Sequence, residues 1–157
     1  MFIRDSAGGL ETAGGIATAL PRLGDEPFLV VNGDVLTDID FQAARRAAQR
    51  IQEHNLLAHL WLVDNPPHHP EGDFGLLSDG LVSASSADGQ ALTFSGVGVY
   101  HPALFKDTPA HQAAKLAPLL RQAMSQNQIS GEHHNGLWLD VGTVERLQEA
   151  DRIAQSW

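Results

Sequence analysis

The chain has 157 residues, of which 43% are hydrophobic, and its ten basic and nineteen acidic side chains give a formal net charge of -9. This length favours one domain, and the negative charge argues against nucleic acid or an anionic membrane as a partner. The absence of cysteine excludes disulfides, a thiol nucleophile and a thiolate metal site, and no apolar run is long enough to span a bilayer. We therefore expect a soluble cytoplasmic protein.

The first six residues resemble the later part of a strand. A glycine-rich segment follows them. Residues 7–15, with the sequence AGGLETAGG, contain four glycines. Such a loop can direct backbone N–H groups towards an anion or a nucleobase. It contains no lysine and does not match the established phosphate-loop patterns, so a turn leading into a short helix near residues 16–20 is an equal alternative.

The apolar run at residues 28–31 predicts a strand that is buried on both faces of a sheet. Asn32, Gly33 and Asp34 follow it, at the position where open α/β sheets bind their ligands. Asp34 is a candidate metal ligand, and Gly33 allows close approach of a phosphate. The alternative is an ordinary turn, because these residue types are common in turns.

Residues 41–53 predict a helix that either Asp38 or Asp40 can cap. Residues 56–63 are apolar at all but one position and predict a second central strand, which would complete a βαβ unit. Three arginines on the helix are expected to form a solvated face: Arg45, Arg46 and Arg50.

The segment at residues 65–73 contains three prolines, which exclude a helix or a central strand. Within it, His68 and His69 lie close to Glu71 and Asp73, which suggests a metal site. However, adjacent side chains of an extended segment point in opposite directions, and no third ligand has a suitable spacing. A loop that faces a substrate is the better interpretation.

The next part of the chain predicts a small antiparallel insertion. Asp79-Gly80 and Asp88-Gly89 are strong hairpin turns, and they separate three short strand-like segments at residues 74–77, 81–85 and 91–100. Around Gly96, small residues leave room for a ligand ring to lie against the backbone. Glycines within a strand can equally mark a β-bulge.

The C-terminal part predicts an amphipathic helix at residues 115–126 and a last short strand at 137–139. Asp140 follows that strand beside a glycine, so it repeats the arrangement of Asp34. Thr143 can cap a closing helix over residues 144–155.

Three segments, taken together and in this order, resemble the sugar-1-phosphate nucleotidyltransferase family: GLETAGG at 9–15, FLVVNGD at 28–34 and WLDVGT at 138–143. Two linking segments, NPPHHPEGDF at 65–74 and FSGVGVYHP at 94–102, most resemble the branch that makes UDP-N-acetylmuramate from N-acetylmuramate 1-phosphate. The resemblance extends over essentially the whole chain.

This resemblance implies a Rossmann-like α/β fold with a mostly parallel sheet and a small antiparallel insertion, in one partial domain over residues 1–157. It implies attack of a sugar phosphate oxygen on the α-phosphate of a nucleoside triphosphate, with UTP favoured, and release of pyrophosphate. Asp34 and Asp140 would hold Mg²⁺, whose preferred ligands are hard carboxylate oxygens. The substrate-binding residues that the resemblance implies are Gly9, Leu10, Glu11, Thr12 and Gly14 at the base and Gly96 at the sugar. Gly33 is a further candidate from its position after a strand. If the sugar is a muramate, His68, His69 or the loop amides are candidates to meet its lactyl carboxylate.

The family begins with a strand and a glycine-rich loop that carries an arginine, followed by a lysine, and nothing similar precedes Met1. We therefore expect the later portion of the family's domain, without turnover of its own. We also expect an unpaired apolar edge at residues 28–31 that self-association or a partner chain would cover. A non-catalytic remnant that binds a nucleotide or a sugar phosphate is the main alternative. An α/β hydrolase is disfavoured because the G-x-S-x-G motif is absent.

Overall fold

The computed structural model describes residues 2–3, 16–17, 24–31, 35–40, 42–67, 69–106, 108, 115–136 and 138–140. For residues 2–3, 35–37 and 139–140 it describes the backbone only. Nine strands and two helices lie in these ranges. In chain order they are β1 (Phe2–Ile3), β2 (Phe28–Val31), β3 (Val35–Thr37), α1 (Gln42–His54), β4 (Ala58–Val63), β5 (Phe74–Leu76), β6 (Val82–Ser83), β7 (Gln90–Tyr100), α2 (Leu116–Met124), β8 (Ile129–His133) and β9 (Trp138–Asp140). A 3₁₀ helix, Pro102–Phe105, follows β7.

The main sheet has the strand order β1-β2-β7-β4-β8, with β5 and β6 extending it beside β7. The pairs β1–β2 and β4–β8 are parallel, whereas β7 runs antiparallel to both β2 and β4. The α/β class is thereby confirmed, but the sheet is mixed rather than mostly parallel. The reason is that β7 does not belong to a separate small insertion. Its C-terminal half is buried and occupies the centre of the sheet.

The predicted strand β2 is paired on both sides. Phe2 and Ile3 of β1 lie opposite Leu29 and Val30, and β7 pairs with the other side of β2. The expectation of an unpaired edge at this strand is therefore wrong. The predicted self-association was inferred from that edge, and the pairing removes its basis.

Two apolar clusters lie on the two faces of the sheet, and each is covered by one helix. On one face, Leu60 and Leu62 of β4 pack in the cluster that contains Leu120 of α2. On the other face, Trp61 packs in the cluster that contains Ile51 of α1. The alternation along β4 explains why the sequence is apolar at successive positions: both faces of this strand are buried. The result is a helix–sheet–helix arrangement.

The ends of both helices follow from local hydrogen bonding. Asp40 caps α1, because its Oδ1 accepts a hydrogen bond of 2.9 Å from the amide of Gln42. Asn55 after α1 and Asn127 after α2 have φ angles of 54° and 59°, the left-handed conformation in which asparagine commonly ends a helix. Neither helix of the described residues has the length and apolarity that crossing a bilayer requires.

Replacing Leu60 tests the central position of β4. Leu60 is fully buried, so Leu60→Ala should leave a cavity and lower the free energy of unfolding by about 2–5 kcal/mol. Arg45→Ala, at an exposed position of α1, is the matched control and should change it by less than about 0.5 kcal/mol. Urea unfolding followed by circular dichroism measures both values. Equal, small changes would show that β4 is not in the core.

Candidate functional site

Several strands, among them β2, β4 and β8, end at the same edge of the main sheet. Because β2 and β4 are both antiparallel to β7, and β8 is parallel to β4, the strands β2, β4 and β8 run in the same direction. Residues 32–34 follow β2 in the chain, and the proline-rich segment follows β4. Ligands of open α/β sheets bind at this carboxyl edge.

A β-bulge interrupts β7 where it pairs with β4. Leu60 lies opposite Gly98 and Leu62 opposite Phe94, so four steps along β7 face only two along β4. Within the bulge Gly96 has a φ of 86°, which favours glycine. The bulge interpretation of this glycine is thereby confirmed, and a ligand contact at Gly96 stays a prediction.

The bulge is joined to β9 by a hydrogen bond. Trp138 Nε1 donates to the carbonyl oxygen of Ser95 over 2.7 Å. In turn, β9 pairs antiparallel with β3, and Asp140 lies opposite Val35. We name this group of residues the bulge junction: Val35, Ser95, Gly96, Trp138 and Asp140. It places the backbone of Asp140 beside the residue that follows Asp34 in the sequence.

Hydrogen bonds connect the proline-rich loop after β4 to β7, next to the bulge. The carboxylate of Asp73 accepts two hydrogen bonds of 2.9 Å, from His69 Nε2 and from the amide of Phe94. Asn65 adds a second attachment, because its Oδ1 accepts a 2.9 Å hydrogen bond from Thr93 Oγ1. The loop is therefore held directly before the Ser95–Gly96 bulge.

A further link connects the segment before β9 to the segment after β3. His134 Nε2 lies 2.8 Å from Asp38 Oδ1. Gly136 allows this approach, since a Cβ atom there would lie 2.5 Å from the same carboxylate oxygen. This contact supports the β3–β9 pairing on which the bulge junction depends.

Of the predicted site residues, Asp140 and Gly96 lie in the bulge junction. The others lie outside the described residues: Gly9, Leu10, Glu11, Thr12, Gly14, Gly33, Asp34 and His68. Within the part of the chain that the structure describes, no group of three or more histidine, aspartate or glutamate side chains is arranged to hold a metal ion.

Sequence reasoning missed a buried polar network between β4 and β8. His59 Nδ1 lies 2.7 Å from Ser130 Oγ, and its Nε2 lies 3.0 Å from Glu132 Oε1. Ser130 is completely buried, so a substrate cannot reach its hydroxyl. A single histidine within the apolar run LLAHLWLV was the available signal, because a buried polar side chain needs partners.

This network changes the ionisation of Glu132. The hydrogen bond from His59 lowers the pKa of Glu132, partial burial opposes this, and the charges of His59, Arg46 and His134 lower it further. Glu132 is therefore ionised near neutral pH. At the centre of the sheet, burial alone raises the pKa of Tyr100, whose hydroxyl stays neutral.

No family model matches the chain. Curated relatives are similar to it, and two of them are named N-acetylmuramate alpha-1-phosphate uridylyltransferase. The relative from Neisseria meningitidis is 61% identical over 153 residues, which cover 98% of this chain and 66% of the relative. The relative from Caulobacter vibrioides is 31% identical over 155 residues, which cover 94% of this chain and 63% of the relative. The chain thus spans just under two thirds of the length of these relatives.

Among solved structures, a UDP-glucose pyrophosphorylase in complex with UDP-glucose superposes with a TM-score of 0.71 at 15% sequence identity. The superposition covers 99% of this chain and 66% of that protein. At this low identity the likeness concerns the fold alone.

The ionisation of Glu132 predicts a pH dependence of stability. Its pKa in the folded state lies below the ordinary value of 4.5, so the stabilisation is present above pH 4.5 and is lost as the pH falls through the folded-state pKa. Glu132→Gln should therefore be less stable than the parent chain at pH 7, and the difference should shrink below pH 4.5. Urea unfolding at several pH values measures it.

The variant His59→Phe is the control for this prediction, because it removes the hydrogen bond that lowers the pKa of Glu132. In its background, Glu132→Gln should have a smaller effect at pH 7. A difference between the parent chain and Glu132→Gln that stays constant with pH would contradict the assignment.

Proposed function

The chain belongs to the sugar-1-phosphate nucleotidyltransferase family and has its α/β fold, and we propose that it carries the metal and sugar sites of a nucleotidyl transfer. In this reaction a sugar 1-phosphate attacks the α-phosphate of a nucleoside triphosphate, and pyrophosphate leaves. The bulge junction is the main structural support. It links the strand after Asn32-Gly33-Asp34, the Ser95–Gly96 bulge and Asp140, which are distant in sequence.

The proposed substrates are UTP and N-acetylmuramate 1-phosphate. The support for this choice is the name that the relatives from Neisseria meningitidis and Caulobacter vibrioides carry, together with the 61% identity to the first of them. The product would be a UDP-linked sugar. This would place the protein in sugar-nucleotide biosynthesis and, for this sugar, in the recycling of cell-wall material.

Asp34 and Asp140 are the proposed ligands of a Mg²⁺ ion. Their carboxylate oxygens are the donors that Mg²⁺ prefers, and the backbone of Asp140 lies opposite Val35, the neighbour of Asp34 in the chain. When bound, the ion would neutralise charge on the phosphates. The protein's own contribution would be to fix the two carboxylates through the β3–β9 pairing.

The remaining proposed contacts involve the glycine-containing segments and the proline-rich loop. The segment from Gly9 to Gly14 would contact the base, and Gly33 would let a phosphate approach the backbone. Gly96 and its neighbours would contact the sugar. His68 precedes His69, which is bonded to Asp73 beside the bulge, so His68 or the loop amides are candidates to meet the lactyl carboxylate of a muramate ligand.

A second candidate function is substrate binding without turnover. It is favoured by the scarcity of cations in the N-terminal part, where Arg4 and Arg22 are the only basic side chains among the first 34 residues. Phosphoryl transfer depends on donors and cations around the phosphates, and the loss of one such donor typically costs about a hundredfold to a thousandfold in rate.

The metal assignment predicts the behaviour of two variants. Asp34→Ala and Asp140→Ala should each abolish binding of Mg²⁺, because each removes one of two carboxylate ligands, while stability changes little. Isothermal titration calorimetry measures the binding. Asp25→Ala, at an exposed acidic position elsewhere, is the control and should bind Mg²⁺ as the parent chain does. Retained binding in Asp140→Ala would refute the assignment.

The substrate assignment predicts that N-acetylmuramate 1-phosphate binds more tightly than glucose 1-phosphate in calorimetric titrations with Mg²⁺ present. The physical reason is the extra carboxylate of the muramate ligand. Equal affinities would count against the muramate assignment. Release of pyrophosphate from UTP in the presence of the more tightly bound sugar 1-phosphate would support turnover, provided that Asp140→Ala shows no such release. Binding without release would support the second candidate function.

A further inference from the structure

A cleft of about 560 Å³ lies between helix α1 and the strands β4 and β8. Arg46, Arg50 and His54 line its helical wall, and His59 and Glu132 line its sheet wall. The cleft shares no residue with the bulge junction. Its volume falls in the range of small-molecule pockets.

The carboxylates of the cleft already have partners. Glu132 Oε1 lies 3.0 Å from His59 Nε2, and Glu53 Oε1 accepts a 3.1 Å hydrogen bond from Gln49. The arginines do not: Arg46 and Arg50 form no hydrogen bond or ion pair within the described part of the chain. Arg46 forms no ion pair with Glu132, and its positive charge lowers the pKa of Glu132 only by longer-range attraction. The two arginines therefore supply unused N–H donors to the cleft, beside one carboxylate oxygen each of Glu53 and Glu132 that forms no hydrogen bond with another described residue.

The charge of α1 is opposite in sign to that of the whole chain. The helix contains three arginines and one glutamate, whereas the chain has a formal net charge of -9. Arg46 and Arg50 are four residues apart and so lie on the same face, one turn from each other. Two planar guanidinium groups at this spacing can donate to the same oxyanion.

We propose that this cleft binds the oxyanion group of a small molecule, a phosphate or a carboxylate, through Arg46 and Arg50. The hydrogen-bonded His59–Glu132 pair forms a fixed wall of the site, because both ring nitrogens of His59 are engaged. This inference is independent of the proposed nucleotidyl transfer, since it uses neither Asp34 nor Asp140.

The test is a titration of the chain with inorganic phosphate and, separately, with succinate. Both are done at constant ionic strength, without nucleotide or divalent ions, so that the proposed transfer site is not probed. Calorimetry gives the affinity, and amide chemical shifts at Gly131 and Glu132 locate the site. We expect saturable binding of at least one anion. Preference for phosphate assigns a phosphate-bearing ligand, and preference for succinate assigns a carboxylate-bearing one.

Three variants decide the role of the arginines. The double variant Arg46→Ala/Arg50→Ala should weaken binding by at least about tenfold, because it removes both guanidinium groups. Arg46→Lys/Arg50→Lys, which retains the charge and loses the planar donors, should be intermediate. Arg45→Ala removes an arginine of the same helix that does not line the cleft and should leave binding unchanged.

Thermal unfolding of each variant is the control for correct folding. We expect all variants to be folded, because alanine and lysine favour helices and the replaced residues are exposed. The absence of saturable binding to the parent chain would overturn the proposal. So would an equal loss of affinity in Arg45→Ala, since this would indicate non-specific attraction to the positive charge of α1.

Discussion

The rest of the structure depends on the pairing of the eleven-residue strand β7. Its C-terminal half separates β2 from β4 and pairs with both, and its N-terminal half pairs with β5. From Val97 to Tyr100 every residue is buried, so both apolar clusters meet on this strand. The two helices and the carboxyl edge of the sheet are positioned relative to it.

The bulge in β7 connects this packing to the candidate site. Ser95 and Gly96 are the additional residues of β7 that shift its pairing register with β4. The carbonyl oxygen of Ser95 then accepts a hydrogen bond from Trp138. A regular strand has its carbonyls engaged in the ladder, whereas a bulge leaves some free for other donors. The bond to Trp138 fixes β9, and β9 aligns Asp140 with Val35. Thus the irregular part of the central strand aligns the backbone of Asp140 with that of Val35, the residue after Asp34 in the sequence.

Much of this organisation was predictable because the signals are local. The apolar run of β4, the Asp40 cap and the hairpin glycines Gly80 and Gly89, with φ angles of 88° and 79°, all occur near the predicted positions. The strand β8 was not predicted, because Gly131, Glu132 and His133 make its sequence mostly polar. Its polar side chains are explained by distant partners, such as the contact of His133 with Asp64.

The position of β7 was also beyond local reasoning. Its hairpin turns indicate antiparallel pairing with the strands next to it in sequence, and they contain no information about insertion between β2 and β4. Likewise, the sequence placed Asp34 and Asp140 after two separate predicted strands, with no sign of how those strands are paired. The structure pairs β3 with β9 in a separate two-stranded sheet, and Val35–Thr37 was not predicted as a strand.

Paramagnetic broadening by Mn²⁺ tests the central claim, that Asp34 and Asp140 share one divalent ion at the bulge junction. Substoichiometric Mn²⁺ replaces Mg²⁺ at oxygen sites and broadens the amide resonances nearest to it. The account predicts that the amides of Val35 and Asp140 broaden first, and that those of His54 at the end of α1 do not. Broadening centred on another part of the chain, with Val35 and Asp140 unaffected, would contradict it.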